Sequence, residues 1–435
     1  MKRISAEARS GGIETRAVVA SPHRSFPSGR AHGSLPNMNS RTRRDLLLSS
    51  GPLALAAAMP ALSAGDRPKR KAVIIGHTGA GDYGHGVERI FAGLPDIEVT
   101  AVADPNEGGR AKAKAASGAV RDYADYREML EREKPDLVAI GPRWATEHHA
   151  MAMASLAAGA HLYLEKPFTV SLAEADEILA LAKQSNRRIA VAHVARCAPN
   201  VLRLEKALRE GLIGDVLEIH AVGKMGSRAG GQDLMVLGIH VLDLARLFAG
   251  EALWCDARIR LQGKTPTVAD AAESPSDRVG PVIGDEIFAH FAMDSGVNVT
   301  FRSRRGLEKA AGPFGLEIIG SNGIIRLNSG AVPSLSHLAT PSRSATTRTE
   351  SWTDWNGGVD PASEATIDGL TAYDAAHRRV VRDWLAAIEE NREPLASGER
   401  AMKTIEMAHA VFRSGLAEQR VAIPLEDRRH PLMAG

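Results

Sequence analysis

The sequence predicts an α/β protein whose first folded domain is a doubly wound parallel sheet, and three observations carry the prediction. A short β-branched run, KAVIIG from Lys71, ends in glycine and enters a glycine-rich segment, HTGAGDYGHGVERIF, that reads as a turn passing into a helix. A second apolar strand, IEVTAVAD, ends in Asp104, which lies 104 − 84 = 20 residues after Gly84. Two further units, DYREMLEREKPDLVAIGP and HHAMAMASLAAGAHLYLEKP, each follow a helical period with a buried strand.

Gly79, Gly81 and Gly84 satisfy GxGxxG, and Gly76 and Gly86 add points where backbone approaches a phosphate closely. A strand, such a turn and a helix start form the dinucleotide site of a Rossmann domain, with the pyrophosphate on backbone N–H groups at the helix N-terminus. Asp104 stands where an acid accepts hydrogen bonds from the adenosine ribose and repels a 2′-phosphate, which favours NAD and leaves NADP open. The loop after Gly76 is longer than the common form, so which glycines touch phosphate is left open. The alternative is a loop that serves only as a turn. Ligands of such sheets lie beyond the C-terminal strand ends, where Gly141, Pro142, Arg143 and the residues after Leu164 fall.

At 435 residues the chain has room for two folded domains and extra sequence at an end. Thr42 to Leu47 carry a twin-arginine pattern, Arg43 and Arg44, followed by an apolar run to Leu62 and the small residues Ser63 and Ala64. This predicts a leader and twin-arginine signal over 1–65, with Met38 as the natural start and export to the periplasm or beyond through the twin-arginine machinery. The alternative is an uncleaved basic tail. Serines, Gly51, Pro52 and Pro60 break the apolar run, so no stable membrane span is expected. Lys plus Arg, 54, balances Asp plus Glu, 52, so no global field draws the protein to nucleic acid. Cys197 and Cys255 lack the spaced Cys and His partners of a zinc site and read as buried thiols, and no metal site is predicted.

Glu165, Lys166 and Pro167 close the last of these strands, where a lysine at the cleft mouth acts on a substrate hydroxyl or else pairs with Glu165 at the surface. Together the glycine turn, Asp104, the His148 and His149 helix start, AGAHLYLEKPF and the later GIHVLDL resemble the Gfo/Idh/MocA family of glucose-fructose oxidoreductases and inositol dehydrogenases, over roughly 71–425. The resemblance implies a Rossmann domain, 71–195, with Gly76, Gly79, Gly81, Gly84, Asp104, Pro142, His148, Glu165 and Lys166 at a retained dinucleotide. It implies a second α/β domain, 196–428, with an open, mostly antiparallel sheet that covers the nicotinamide and supports a homo-oligomer. It also implies a sugar, inositol or related hydroxyl compound as substrate and Lys166 as a catalytic or orienting residue.

After the helical VLRLEKALREG and the strand DVLEIHAVGK, the stretch QDLMVLGIHVLDLARLFAG reads as one amphipathic helix with His240 and Asp243 three apart on one face. His240 matches the histidine that family members place over nicotinamide and substrate, a general acid or base near neutral pH; Asp243 orients or caps. The family's dehydrogenases carry an aspartate four residues before this histidine, and here that position is Val236. Asp233, a turn earlier, either caps the helix or acts on substrate. The departure opens a redox-neutral alternative, with transient oxidation, elimination and return of the hydride, on a glycoside or in epimerisation. A non-catalytic exported sugar-binding protein is the third reading.

DEIFAHFAMDSGVNVTFRSR and GLEIIGSNGIIRL read as hairpins, 263–283 and 329–370 as long loops, and AHRRVVRDWLAAIEENREP and ERAMKTIEMAHAVFRSG as closing helices. His377, Arg378 and Arg379 read as a solvated helix face, with reach to an anionic group as the alternative, and Trp352, Trp355 and Trp384 as core or interface packing, with stacking on a sugar ring as the alternative.

Overall fold

The computed structural model describes residues 68–274, 276–307, 314–341 and 351–433. The leader and twin-arginine signal expected over 1–65 lie outside the described residues.

Six strands, β1 (Arg70–Ile75), β2 (Ile97–Ala103), β3 (Arg121–Tyr123), β4 (Leu137–Ile140), β5 (His161–Leu164) and β6 (Ile189–Val191), form one parallel sheet in the order β3-β2-β1-β4-β5-β6. The order reverses between β1 and β4, and it is there that a doubly wound sheet opens its ligand crevice. All of β4 and the last four residues of β1 are buried, as strands covered on both faces must be. The crossover helices are α1 (Glu107–Ser117), α2 (Tyr126–Glu133), α3 (Ala145–Ala157) and α4 (Leu172–Gln184). Asn106, Asp125 and Ser171 cap α1, α2 and α4 by accepting backbone N–H bonds. The crossover after β1 differs from expectation. Only a 3-10 turn, Val87–Arg89, forms, because Gly84, Gly86 and Gly93 hold φ of 58°, 95° and 77° and bracket a stretch too short for a helix.

After α5 (Pro199–Arg209), strand β7 (Val216–Val222) opens the second sheet. The predicted single helix comes as three pieces: α6 (Gly231–Asp233), a π turn (Leu234–Gly238) and α7 (Ile239–Ala249). Then come β8 (Ala252–Arg260), the short pair β9 (Ala272–Glu273) and β10 (Pro281–Val282), and β11 (Glu286–Met293), β12 (Asn298–Arg304), β13 (Gly315–Gly320), β14 (Ile324–Asn328), β15 (Ser334–Leu338) and β16 (Thr353–Asp354). Helices α8 (Pro361–Glu364), α9 (Ala372–Glu389) and α10 (Gly398–Ala417) and strand β17 (Val421–Ala422) end the chain. The nine-stranded sheet runs β16-β15-β14-β13-β7-β12-β11-β8-β17, antiparallel except for the parallel β12 and β7 pair. The α/β class, the parallel Rossmann sheet and the mostly antiparallel second sheet are as expected. Helix α9 returns to the first domain: its Trp384 packs on Phe91 and Tyr163. Among the described residues no helix is long and apolar enough to cross a membrane.

Candidate active site

Beyond the ends of β1, β2 and β4 lies a cleft of about 470 Å³ walled by Gly76, His77, Asp104, Tyr126, Glu147 and Met151. Asp104 is fully buried and accepts from the Thr78 N–H at 3.1 and 3.2 Å, the Thr78 hydroxyl at 2.7 Å and the Asn106 N–H at 2.9 Å. A carboxylate offers about four acceptor positions, so most of this one pins the glycine turn to the end of β2. Its expected ribose contact is reduced to whatever capacity is left.

The glycines also do other work than the motif suggested. A Cβ on Gly76 would lie 2.0 Å from the Tyr83 ring, and one on Gly81 2.6 Å from the Arg143 and Trp144 amide nitrogens. One on Gly84 would lie 2.6 Å from Glu165. Three glycines therefore let the turn close on its own tyrosine, on the loop after β4 and on the EKP segment. Gly79, with φ of 89°, faces open space. The cleft fits a dinucleotide on its own features. It is open at the switch point, and Gly79, at φ 89° with open space beside it, leaves the turn backbone free for the close approach of a ligand phosphate. Pro142 and His148 serve each other: the fully buried imidazole hydrogen-bonds the Pro142 carbonyl at 2.7 Å and the Pro167 carbonyl at 2.8 Å. His148 thus clamps the loop after β4 to the segment after β5, where a cofactor contact was expected.

A second pocket, about 240 Å³, opens at the ends of β5 and β6 and brings together Lys166, His240, Glu165, His85 and His377, with Leu237 on its wall. Lys166 is 6% exposed and its Nζ donates to the Val236 carbonyl at 3.3 Å. Burial pushes the ammonium below its ordinary 10.5, with Glu165 opposing. Burial and then Lys166 push His240 well below 6.5, so it stands neutral at pH 7. The ring of His193 packs edge-on against His240, centroids 5.5 Å apart. Glu165 is fully buried; burial alone would raise its carboxyl, but the His85 hydrogen bond at 2.9 Å and the Lys166 charge outweigh it and hold it below the usual range.

The two candidate aspartates of the second domain, Asp233 and Asp243, do not line this pocket. Asp233 neither caps nor reaches Lys166. Gly230 takes the N-cap position, and the Asp233 carboxylate accepts from the Ser303 hydroxyl at 2.6 Å and from the Lys224 and Met225 N–H groups at 3.3 and 3.4 Å. Asp243 is buried against Arg196, which donates to its carboxylate at 2.9 and 2.8 Å and to its carbonyl at 2.7 Å. It does not line the pocket, but its charge acts on His193 and His240. At position 236 the protein offers only a carbonyl, and the residue lining the pocket beside His240 is the apolar Leu237.

The solvated-face reading of α9 is overturned: His377, Arg378 and Arg379 are 2%, 1% and 9% exposed. Arg378 is bound by Asp368 at 2.8 Å and by the Ala92 carbonyl, and His377 faces the pocket. Trp384 is core, Trp352 carries Arg326 over its ring at 4.1 Å, and both cysteines are free and buried. His85, Tyr163, His193 and His377 were not singled out from sequence as site residues.

Two family descriptions match the chain: the oxidoreductase family's NAD-binding Rossmann fold over residues 70–193, and its C-terminal alpha/beta domain over 206–423. D-apiose dehydrogenase of Paraburkholderia graminis is 24% identical over 351 residues, covering 77% of this chain and 86% of that one. A glycosyl hydrolase family 109 protein of a Shewanella strain is 27% identical over 210 residues, 41% of this chain and 45% of its own length. The solved structure of levoglucosan dehydrogenase with NADH and levoglucosan superposes with a TM-score of 0.64 at 21% identity, covering 82% of this chain and all of that one. With both domains matched in order across most of the described residues, the chain belongs to the Gfo/Idh/MocA oxidoreductase family and carries its NAD-binding Rossmann domain.

Proposed function

We propose that the protein is an exported NAD-dependent enzyme acting at a hydroxyl-bearing carbon of a sugar, polyol or glycoside, with its dinucleotide retained between turnovers. The observation that carries this reading is the pairing of buried Lys166 with neutral His240 in one pocket at the ends of β5 and β6. The bound nicotinamide supplies a hydride acceptor and donor. Lys166 Nζ, made less basic by burial, takes the hydroxyl proton as the carbinol carbon is oxidised and returns it in the reverse direction. His240 orients the same or the neighbouring hydroxyl. The dehydrogenase relatives support the substrate class. Arg43 and Arg44 with the apolar run behind them support export, and a protein exported from the source of fresh NAD has reason to keep its own. Leu217, Leu253 and Phe288, about half exposed on β7, β8 and β11, support a homo-oligomer built on the open sheet.

A second reading has its own support: at Val236, where the family's dehydrogenases carry an aspartate, Lys166 finds only a backbone carbonyl, and a glycosyl hydrolase family 109 protein is among the relatives. In that reading the substrate carbon is oxidised, the glycosidic oxygen leaves with a proton, water adds where it left, and the hydride removed at the start would be returned at the end, so that the net reaction is hydrolysis.

The deciding experiment begins with the purified chain, denatured without added nucleotide, and mass spectrometry of what is released. Stoichiometric NAD or NADH supports retention. Assay on polyols and glycosides then separates the readings: growth of the NADH band with turnover supports net oxidation, and product without net NADH supports the redox-neutral route. A protein that releases no dinucleotide and binds none when offered would leave only a sugar-binding role.

A further inference from the structure

His85, Glu165 and His377 come from three distant stretches of the chain, the glycine turn, the end of β5 and the interior of α9. Each offers a ligand atom, and the three atoms lie within 4.8 Å of one another. We propose that they form a binding site for a divalent transition metal ion, with its open coordination positions facing the pocket that holds Lys166 and His240.

Four features support a built site. First, Glu165 is a fully buried carboxylate, and among the described residues no lysine or arginine side chain comes within ion-pair distance of it. The neighbouring Lys166 ammonium turns to the Val236 carbonyl instead. Buried carboxylates are paired with a cation or hold a metal, and the side chains that reach this one are imidazoles. Second, His377 has its ring fixed from behind, since its Nδ1 hydrogen-bonds the hydroxyl of the fully buried Tyr163. In the tautomer whose Nδ1–H donates to Tyr163, Nε2 presents its lone pair, and metal-binding histidines are commonly held in this way through the other nitrogen. Third, His85 is held over Glu165 by backbone that only glycine permits: Gly84, at φ 58°, sits so close that a Cβ would meet the Glu165 carboxyl at 2.6 Å. Tyr373, on the same helix as His377, packs against the His85 ring with centroids 5.1 Å apart, and Arg89 ties the turn to Asp374 at 2.9 Å.

The fourth feature is the donor set itself. Two imidazoles and one carboxylate with open positions form the ligand set of catalytic zinc and non-haem iron sites. Bonds of about 2.0–2.2 Å require ligand atoms about 3.3 Å apart in a tetrahedron. His85 Nδ1 and Glu165 Oε1 already stand 2.9 Å apart, and the widest separation in the trio, at most 4.8 Å, must close by up to about 1.5 Å, with the His85 side chain, 35% exposed, the least confined of the three. All three residues line the 240 Å³ pocket, so the open positions take an oxygen of the bound substrate, a hydroxyl or carbonyl of the class proposed above. The site itself rests on these side chains and not on hydride chemistry. Failure to bind metal would leave the dinucleotide reading standing, and failure to release dinucleotide would leave the metal site standing.

The test uses the full chain, expressed without a polyhistidine tag, stripped with a chelator and titrated with Co²⁺ while the ligand-field absorption is followed, then challenged with Zn²⁺. One equivalent of Co²⁺ should develop visible bands of low-symmetry coordination that Zn²⁺ abolishes. His85→Ala and Glu165→Gln should each weaken binding roughly 100-fold or more, beyond the 10- to 100-fold typical of losing an outer-sphere partner. His149→Ala, on the outer surface of α3, should leave it unchanged. His85 is partly exposed, so its variant keeps the test open if changes at buried His377 fail to fold. No saturable Co²⁺ spectrum in the wild-type chain, or one-equivalent binding that survives in both His85→Ala and Glu165→Gln, would overturn the site.

Discussion

Lys166→Met separates the catalytic reading from a structural one, because the two predict opposite changes. Among the described residues Lys166 Nζ makes one hydrogen bond, to the Val236 carbonyl at 3.3 Å, and the residue is 6% exposed, so its ammonium is incompletely compensated for lost water. Methionine follows the same stem and removes the charge, relieving the buried ammonium but leaving Glu165 to the His85 hydrogen bond without that charge beside it, so the variant should fold with a melting temperature close to that of the wild type. Its dinucleotide content should also be unchanged. Turnover should fall by about 10²- to 10⁴-fold, the usual contribution of a positioned general base, or about 3 to 5 kcal/mol on the barrier. The assay is initial rate per bound dinucleotide over a pH series. In the wild type kcat/KM should rise with pH along a limb below 10.5, since burial lowers the lysine, and in Lys166→Met that limb should vanish. A variant that turns over within a few-fold of wild type with the same pH limb would refute the assignment of Lys166 as the base.

Asp243→Asn should cost about 3 to 5 kcal/mol in denaturant unfolding, since it leaves Arg196 buried and uncompensated, while a paired Arg196→Met, Asp243→Leu change should recover much of that. A stable Asp243→Asn protein with abolished turnover would instead make the aspartate catalytic. Gly84→Ala should destabilise by about 1 to 3 kcal/mol by thermal melting, from a left-handed φ of 58° and a Cβ pressed on Glu165; an unchanged melt would show that the turn does not pack as described. His430 is buried edge-on against His409, and burial lowers it from 6.5 to about 4. A histidine depressed in the folded state keeps its full contribution above its unfolded value and loses it as pH falls from 6.5 through 4. That is 2.5 units, or about 3 kcal/mol. His430→Gln should flatten that acid limb in a series of urea melts, and an unaltered slope would remove His430 as its source.

The architecture was legible because it is written in local periods. The KAVII and DLVAI runs are apolar on both faces and bounded by glycine or charge, which suits only strands buried on both sides. The β11 and β12 hairpin carries Asp294, Ser295 and Gly296 at its turn, with Gly296 at φ 85°. The two helical misreadings have local causes that periodicity does not register. VERIF has a helical pattern but sits between glycines in left-handed backbone. The segment through Val236 keeps an amphipathic period, but Gly238 lies against Phe301, where a Cβ would be 2.9 Å from the ring, and the chain passes that contact in a π turn. Such a turn often marks a functional site, and here it brings the Val236 carbonyl to Lys166 and Leu237 to the pocket wall.

The site was less legible because its members meet only in three dimensions. Lys166 and His240 could be named because each sits in a motif, whereas Asp104, His148, Asp233 and Asp243 were named by position and turn out to hold backbone or an arginine. Proximity in a motif does not say which partner a carboxylate will find first. His377 carried a signal that charge concealed: His377, Val380, Val381 and Trp384 fall at i, i+3, i+4 and i+7, the inward stripe of α9, and all four are buried. Two arginines beside the histidine made the face look solvated, yet each finds a carbonyl, Ala92 for Arg378 and Glu364 for Arg379, and pays part of its desolvation there. His85 had no comparable pattern. A histidine between two glycines reads as part of a turn, and its meaning depends on Glu165, 80 residues away, and on the helix that carries His377. Gly84 therefore also serves the pocket: its lack of a side chain lets the turn bring an imidazole onto a buried carboxylate.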